Sequence, residues 1–187
     1  MKKVLIVICC LLMVTGCTNN SKSSNSSKKV KENNDSVVLY FSATGTTKSI
    51  AERIASQSDS DIIEIIPKEK YKDDDLNYNS DCRANREQKD SNARPEIENT
   101  IDISKYDTIY LGYPIWWGTN PKIILTLLDT YDFTGKTIIP FCTSGSTEIS
   151  GSVNDLRSYN SKLIIKDGRR FSSDDSDDII KEFINNN

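Results

Sequence analysis

An apolar run, Val37-Val38-Leu39-Tyr40-Phe41, stops at a hydroxyl-rich turn, Ser42-Ala43-Thr44-Gly45-Thr46-Thr47, and a helical pattern follows at once through Ile50 and Ala51. Strand, short turn and helix start in one piece constrain the fold more than any other stretch. A helix N-terminus presents unpaired N–H groups and a partial positive charge, so it holds a phosphate without a basic residue. Ser42, Thr44, Thr46 and Thr47 surround Gly45, and each hydroxyl is a possible donor to a phosphate oxygen. The turn is too short for a Walker loop and lacks the glycine spacing of a dinucleotide fingerprint. A monophosphate site is the reading that remains, against an ordinary strand-to-helix turn capped by a threonine.

The same alternation continues down the chain. A helix is expected over 46–57, a second strand over 61–66 and a third over 108–113. A helix opened by Pro121 runs to about 128, and a fourth strand covers 136–142. A helix over 149–156, a short fifth strand over 162–166 and a last helix over 176–184 complete the order. This pattern predicts an α/β fold with a parallel sheet covered by helices on both faces. Residues 68–104 read as a long polar connection with a helical hint over 81–89. Its Asp73-Asp74-Asp75 cluster lacks the spacing of a calcium loop.

Three divisions are expected along the sequence. Residues 1–16 read as a lipoprotein signal peptide: Lys2 and Lys3 precede an apolar core over 4–14, which ends in Val14-Thr15-Gly16-Cys17 and resembles a bacterial lipobox. Cys17 is the expected lipidation site, and residues 17–35, rich in Ser, Asn and Lys, read as a flexible tether. Residues 36–187 form the expected folded domain. The whole chain carries a net charge of −3, and the part from Ser36 onward carries −7 once the lysines of leader and tether are set aside. That balance argues against nucleic acid as a partner and permits a basic protein partner. There is no histidine, which excludes Ser-His-Asp and Cys-His catalysis and removes the commonest zinc ligand. Cys82 and Cys142 share no spacing pattern and read as free thiols. Cys142 imitates the start of a cysteine-phosphatase loop, but Glu148 stands where that loop needs an arginine.

In a parallel α/β sheet, ligands sit beyond the carboxyl ends of the strands where strand order reverses. That rule brings together the turns after the first, third and fourth strands. The second of these is Pro114-Ile115-Trp116-Trp117-Gly118, whose adjacent indoles are poorly explained by core packing and offer a stacking platform, against one indole in the core and one on the surface. The third is Thr143-Ser144-Gly145-Ser146, a run of small residues with backbone donors. A phosphate pocket, an indole platform and a donor loop fit a flat heterocycle joined to one terminal phosphate, and FMN meets that description.

At these residues the chain resembles the flavodoxin family. Tyr40-Phe41-Ser42-Ala43-Thr44-Gly45-Thr46-Thr47, Leu111-Gly112-Tyr113-Pro114-Ile115-Trp116-Trp117-Gly118 and Thr137-Ile138-Ile139-Pro140-Phe141-Cys142-Thr143-Ser144-Gly145 carry the likeness, which extends over most of 37–184. The resemblance implies a three-layer sandwich with a five-stranded parallel sheet in the order 2-1-3-4-5, and non-covalent FMN. Carried over, Ser42, Thr44, Gly45, Thr46 and Thr47 hold the phosphate. Pro114, Ile115, Trp116, Trp117 and Gly118 flank the isoalloxazine, and Thr143, Ser144, Gly145 and Ser146 border its far side and pyrimidine edge. Ser146 replaces a glycine common in relatives, and no aromatic follows Cys142 to stack the second flavin face.

Two redox roles follow. One is electron carriage between protein partners; the other is transfer of reducing equivalents from NAD(P)H to a quinone-type acceptor. A flavin-free surface binding lipoprotein is the reading from another class. With Cys17 lipidated, the expected location is the extracytoplasmic face of the cell membrane, with electrons drawn from a membrane donor.

Overall fold

The computed structural model describes residues 35–187. The signal peptide, Cys17 and all but the last residue of the expected tether lie outside the described residues. The sheet is built from β1 (Ser36–Tyr40), β2 (Asp61–Glu64), β3 (Thr108–Pro114), β4 (Thr137–Thr143), β5 (Ile164–Ile165) and β6 (Arg169–Phe171). The helices are α1 (Thr46–Ser58), α2 (Arg83–Lys89), α3 (Lys122–Thr130), α4 (Ser150–Tyr159) and α5 (Asp177–Asn185). Strand order is β2-β1-β3-β4-β5, all pairs parallel, in agreement with the expected flavodoxin-like sheet.

Alternation along the strands builds two cores. Val37, Leu39 and Phe41 point to one face, with Ile109, Leu111 and Tyr113, where α3 and α4 pack through Ile124, Leu127, Val153 and Leu156. Val38 and Tyr40 point to the other, with Tyr110, Ile139 and Phe141, where α1 and α5 pack through Ile50, Ile54, Ile180 and Phe183. Strands buried on both faces read as continuous apolar runs, which is why they were visible in the sequence.

The fifth strand falls within the expected 162–166 but is only two residues long, and the edge then resumes as β6, which the sequence reading did not include. β5 pairs with Thr137 and Ile138, and β6 pairs in parallel with Phe141, Cys142 and Thr143. Pro140 lies between these two pairings and has no N–H to offer a ladder. The chain steps over it through Gly168, whose φ is +72° and whose position admits no side chain, since a Cβ there would sit 2.3 Å from the Pro140 carbonyl oxygen.

The second strand ends two residues early, because the chain between β2 and β3 turns back onto its edge. Asn99 substitutes for a neighbouring strand: its side chain accepts from the Ile66 N–H at 2.9 Å and donates to the Glu64 carbonyl at 2.8 Å. The Lys68 and Glu98 N–H groups donate to the carbonyls of Glu96 and Ile66. Among the described residues no helix is long and apolar enough to cross a membrane.

Candidate functional site

The turn after β1 is shaped by Gly45, which caps α1 at φ +90° with open space in front of it. No side chain caps the helix, and its first N–H groups have no acceptor among the described residues. The Ser42 hydroxyl accepts from the Gly45 N–H at 3.1 Å and so fixes the turn. Thr44 and Thr46 are exposed beside it, their hydroxyl oxygens 3.4 Å apart. Thr47 is buried and its hydroxyl shares a hydrogen bond of 2.7 Å with that of Thr143. Thr143 is therefore the last residue of β4 rather than part of the free loop. The pair stitches the first turn to the third.

The turn after β3 is a tight reversal. Trp116 and Thr119 exchange backbone hydrogen bonds of 2.9 and 3.1 Å, with Trp117 at φ +51° and Gly118 at φ +81° between them. Two successive positive φ values are the signature of a type I′ turn, which favours Asn-Gly and disfavours a bulky first residue. The two indoles then divide. Trp116 packs against the core and Trp117 does not, the arrangement of the alternative reading with one indole inside and one at the surface. Trp116 lies edge-on to Phe41 and Tyr71, ring centroids 5.6 and 5.0 Å away. Trp117 stays 45% exposed at the mouth of the site. Gln88 of α2 pins this turn from below. Its side-chain amide donates to the carbonyls of Trp116 and Asn120 and accepts from the Lys122 N–H at the start of α3.

The turn after β4 holds Ser144, Gly145 and Ser146. The Ser144 hydroxyl donates to the Thr147 carbonyl at 2.5 Å. Ser146 keeps an ordinary negative φ, so no glycine is needed there. Just upstream, Cys142 is buried, and burial pushes its thiol up to about 12. A thiol held protonated is no nucleophile, and Glu148 is paired with Arg170 at 3.2 Å.

The three turns converge on linked clefts. One of about 290 Å³ is lined by Thr44, Thr47, Pro114, Trp116, Trp117 and Tyr78. A second of about 310 Å³ runs from Tyr78 and Trp117 past Gly118 to Thr147. A third of about 280 Å³ joins Thr44 and Thr46 to Ser144, Gly145, Ser172 and Ser173. The first and second share Tyr78, Trp116 and Trp117, and the first and third share Thr44 and Pro114, so the three adjoin along one trough. Ser42 and Ser146 border none of these three clefts.

Sequence reading missed three contributors. Tyr78 is 73% exposed and stands edge-on to Trp117 at 6.0 Å, a second aromatic supplied by the long connection between β2 and β3. Ser172 and Ser173 arrive only because β6 exists. Lone residues in a polar, aperiodic stretch gave no pattern to find them by. Both cysteines within the described residues are free and buried.

The chain matches the family model for flavodoxin over residues 35–187. A candidate flavoprotein of Bacteroides uniformis is 38% identical with a TM-score of 0.78, over 82% of this chain and 99% of that one. One of Bacteroides eggerthii is 35% identical, TM-score 0.78, over 82% and 97%. A flavoprotein of Lactobacillus acidophilus, solved in complex with FMN, is 28% identical, TM-score 0.63, over 80% and 98%. No curated protein sequence matches. With its sheet order, its trough at the strand ends and these likenesses in hand, the chain belongs to the flavodoxin family.

Proposed function

We propose that this protein binds FMN in the trough and serves as a redox protein. The observation that carries this reading is the continuity of the trough, from the uncapped start of α1 to the Trp117 turn. The residues present fit the group. The α1 N-terminus with Thr44 and Thr46 suits a dianionic phosphate and needs no lysine. Trp117 and Tyr78 present aromatic surface to a flat ring, and Gly145 borders the same trough with a backbone N–H that a ligand can use. Bound FMN supplies one- and two-electron redox chemistry. The protein's part is to hold the ring, limit water around it and set the charge nearby. The excess of acidic residues disfavours added negative charge on the ligand and lowers its potential.

The finer reading is a carrier of electrons between protein partners, anchored through Cys17 at the extracytoplasmic face of the membrane. It rests on the leader sequence and on the −7 charge from Ser36 onward, which suits a basic partner. The exposed indole of Trp117 favours a second use, reduction of a quinone-type acceptor by NAD(P)H, because a flat second ligand has room beside it. Titration of the full chain with FMN tests the central claim through quenching of flavin fluorescence. Tight binding of FMN and much weaker binding of riboflavin, which lacks the phosphate, is the expected result. A protein that stays colourless with both overturns it. Rapid bleaching of the holoprotein by NADH or NADPH separates reductase from carrier.

A further inference from the structure

We propose that Arg170 is a positioning residue that aims the backbone of the third turn into the trough. Arg170 lies on β6 in register with Cys142, two residues before Ser144. Its place depends on the step at Pro140 and Gly168, which lets the edge strand resume beside the end of β4. From there the guanidinium donates to the Ser144 carbonyl at 3.3 Å and to the Glu148 carboxylate at 3.2 Å. The described peptide bonds are all trans. In a trans peptide the carbonyl and the following N–H point in opposite directions. An Arg170 that captures the Ser144 oxygen therefore turns the Gly145 N–H the other way, where Gly145 borders the cleft with Thr44, Thr46 and Pro114. That N–H has no acceptor among the described residues. A cation on the carbonyl also polarises the peptide and strengthens its N–H as a donor.

The geometry assigns Arg170 to the cleft that Gly145 shares with Thr44 and Thr46. This assignment rests on the flavin reading only for the identity of the ligand. Three measurements on the full chain test it, using Arg170→Met, Arg170→Lys and Glu148→Gln. In the protein without ligand, the Gly145 amide resonance is expected to move in Arg170→Met and to stay closer to the wild-type position in Arg170→Lys. With ligand, Arg170→Met should weaken FMN binding about tenfold. Glu148→Gln should do less, since Glu148 is 71% exposed.

An unmoved Gly145 amide overturns the proposal, and so does an unchanged FMN affinity. If Arg170→Met does not fold, a loss of FMN affinity in Arg170→Lys carries the same decision at smaller size, and unchanged affinity overturns it. If the wild-type chain does not bind FMN, the flavin reading fails, and the amide shift alone decides the positioning role.

Discussion

Trp117 occupies a backbone conformation that costs an L-residue roughly 1–2 kcal/mol, and it does so at the mouth of the trough. Strain held at such a place is understandable if the turn serves the ligand and not the fold. Replacing Trp117 by glycine should then move two properties in opposite directions. Stability in urea should rise by about 0.5–1 kcal/mol, and FMN affinity should fall by about 1–3 kcal/mol, the worth of one stacked ring. A variant that loses stability and keeps its affinity contradicts the assignment. Trp116 is different, since its edge contacts with Phe41 and Tyr71 bind it to the core. Adjacent tryptophans announced an unusual turn in the sequence. Which indole would face outward depended on one positive φ, and composition does not encode that.

The turns are joined as well as juxtaposed. The buried pair Thr47–Thr143 ties the start of α1 to the end of β4. Changing either threonine alone to valine leaves the other hydroxyl buried without a partner and should cost about 1–3 kcal/mol. The double change should be nearly neutral for stability, and chemical denaturation of the four proteins in the cycle measures the coupling. Additive losses in the double variant would mean that the hydroxyls do not support each other. At this scale the sequence was legible wherever apolar periodicity ran unbroken. β1, β3 and β4 and the helices α1, α3 and α5 lie within two residues of expectation. In the long connection the helical hint over 81–89 is borne out by α2, but the part it plays was not legible, because it is polar: Gln88 and Asn99 act through single amide groups. The split edge escaped notice too. Pro140 sits inside an apolar run that reads as a strand, and its missing N–H matters only once the neighbouring strand is known.

Taken as a whole, the molecule has no group that titrates near neutrality through histidine, and its stability should be level between about pH 6 and 8. Above that range it should fall. Burial pushes the Cys142 thiol up to about 12 from an ordinary value of 9.0. Burial, together with the Glu87 carboxylate that Tyr71 bonds, holds the Tyr71 hydroxyl well above its usual value, and burial does the same for Tyr113. The folded chain then keeps protons that the unfolded chain releases. Their contribution is complete below the unfolded values and is lost progressively as pH rises past about 9–10. At the acid end, hydrogen bonds from Tyr159 and Arg94 hold Asp129 below the ordinary carboxylate range, a contribution present above about pH 4 and lost as pH falls. Urea melts at pH 6, 8 and 10 check the alkaline side, and a marked drop between 6 and 8 would contradict it.

The broken outer strand has one more effect. A long unpaired strand edge is a template on which another polypeptide can grow, and it is the usual start of fibrous aggregation. Here one side of the sheet ends in two segments of two and three residues interrupted by a kink, and the opposite side is occupied by the Asn99 amide and the backbone around it. Chains crowded side by side find no straight ribbon to extend, so close packing of many copies should leave each one separately folded.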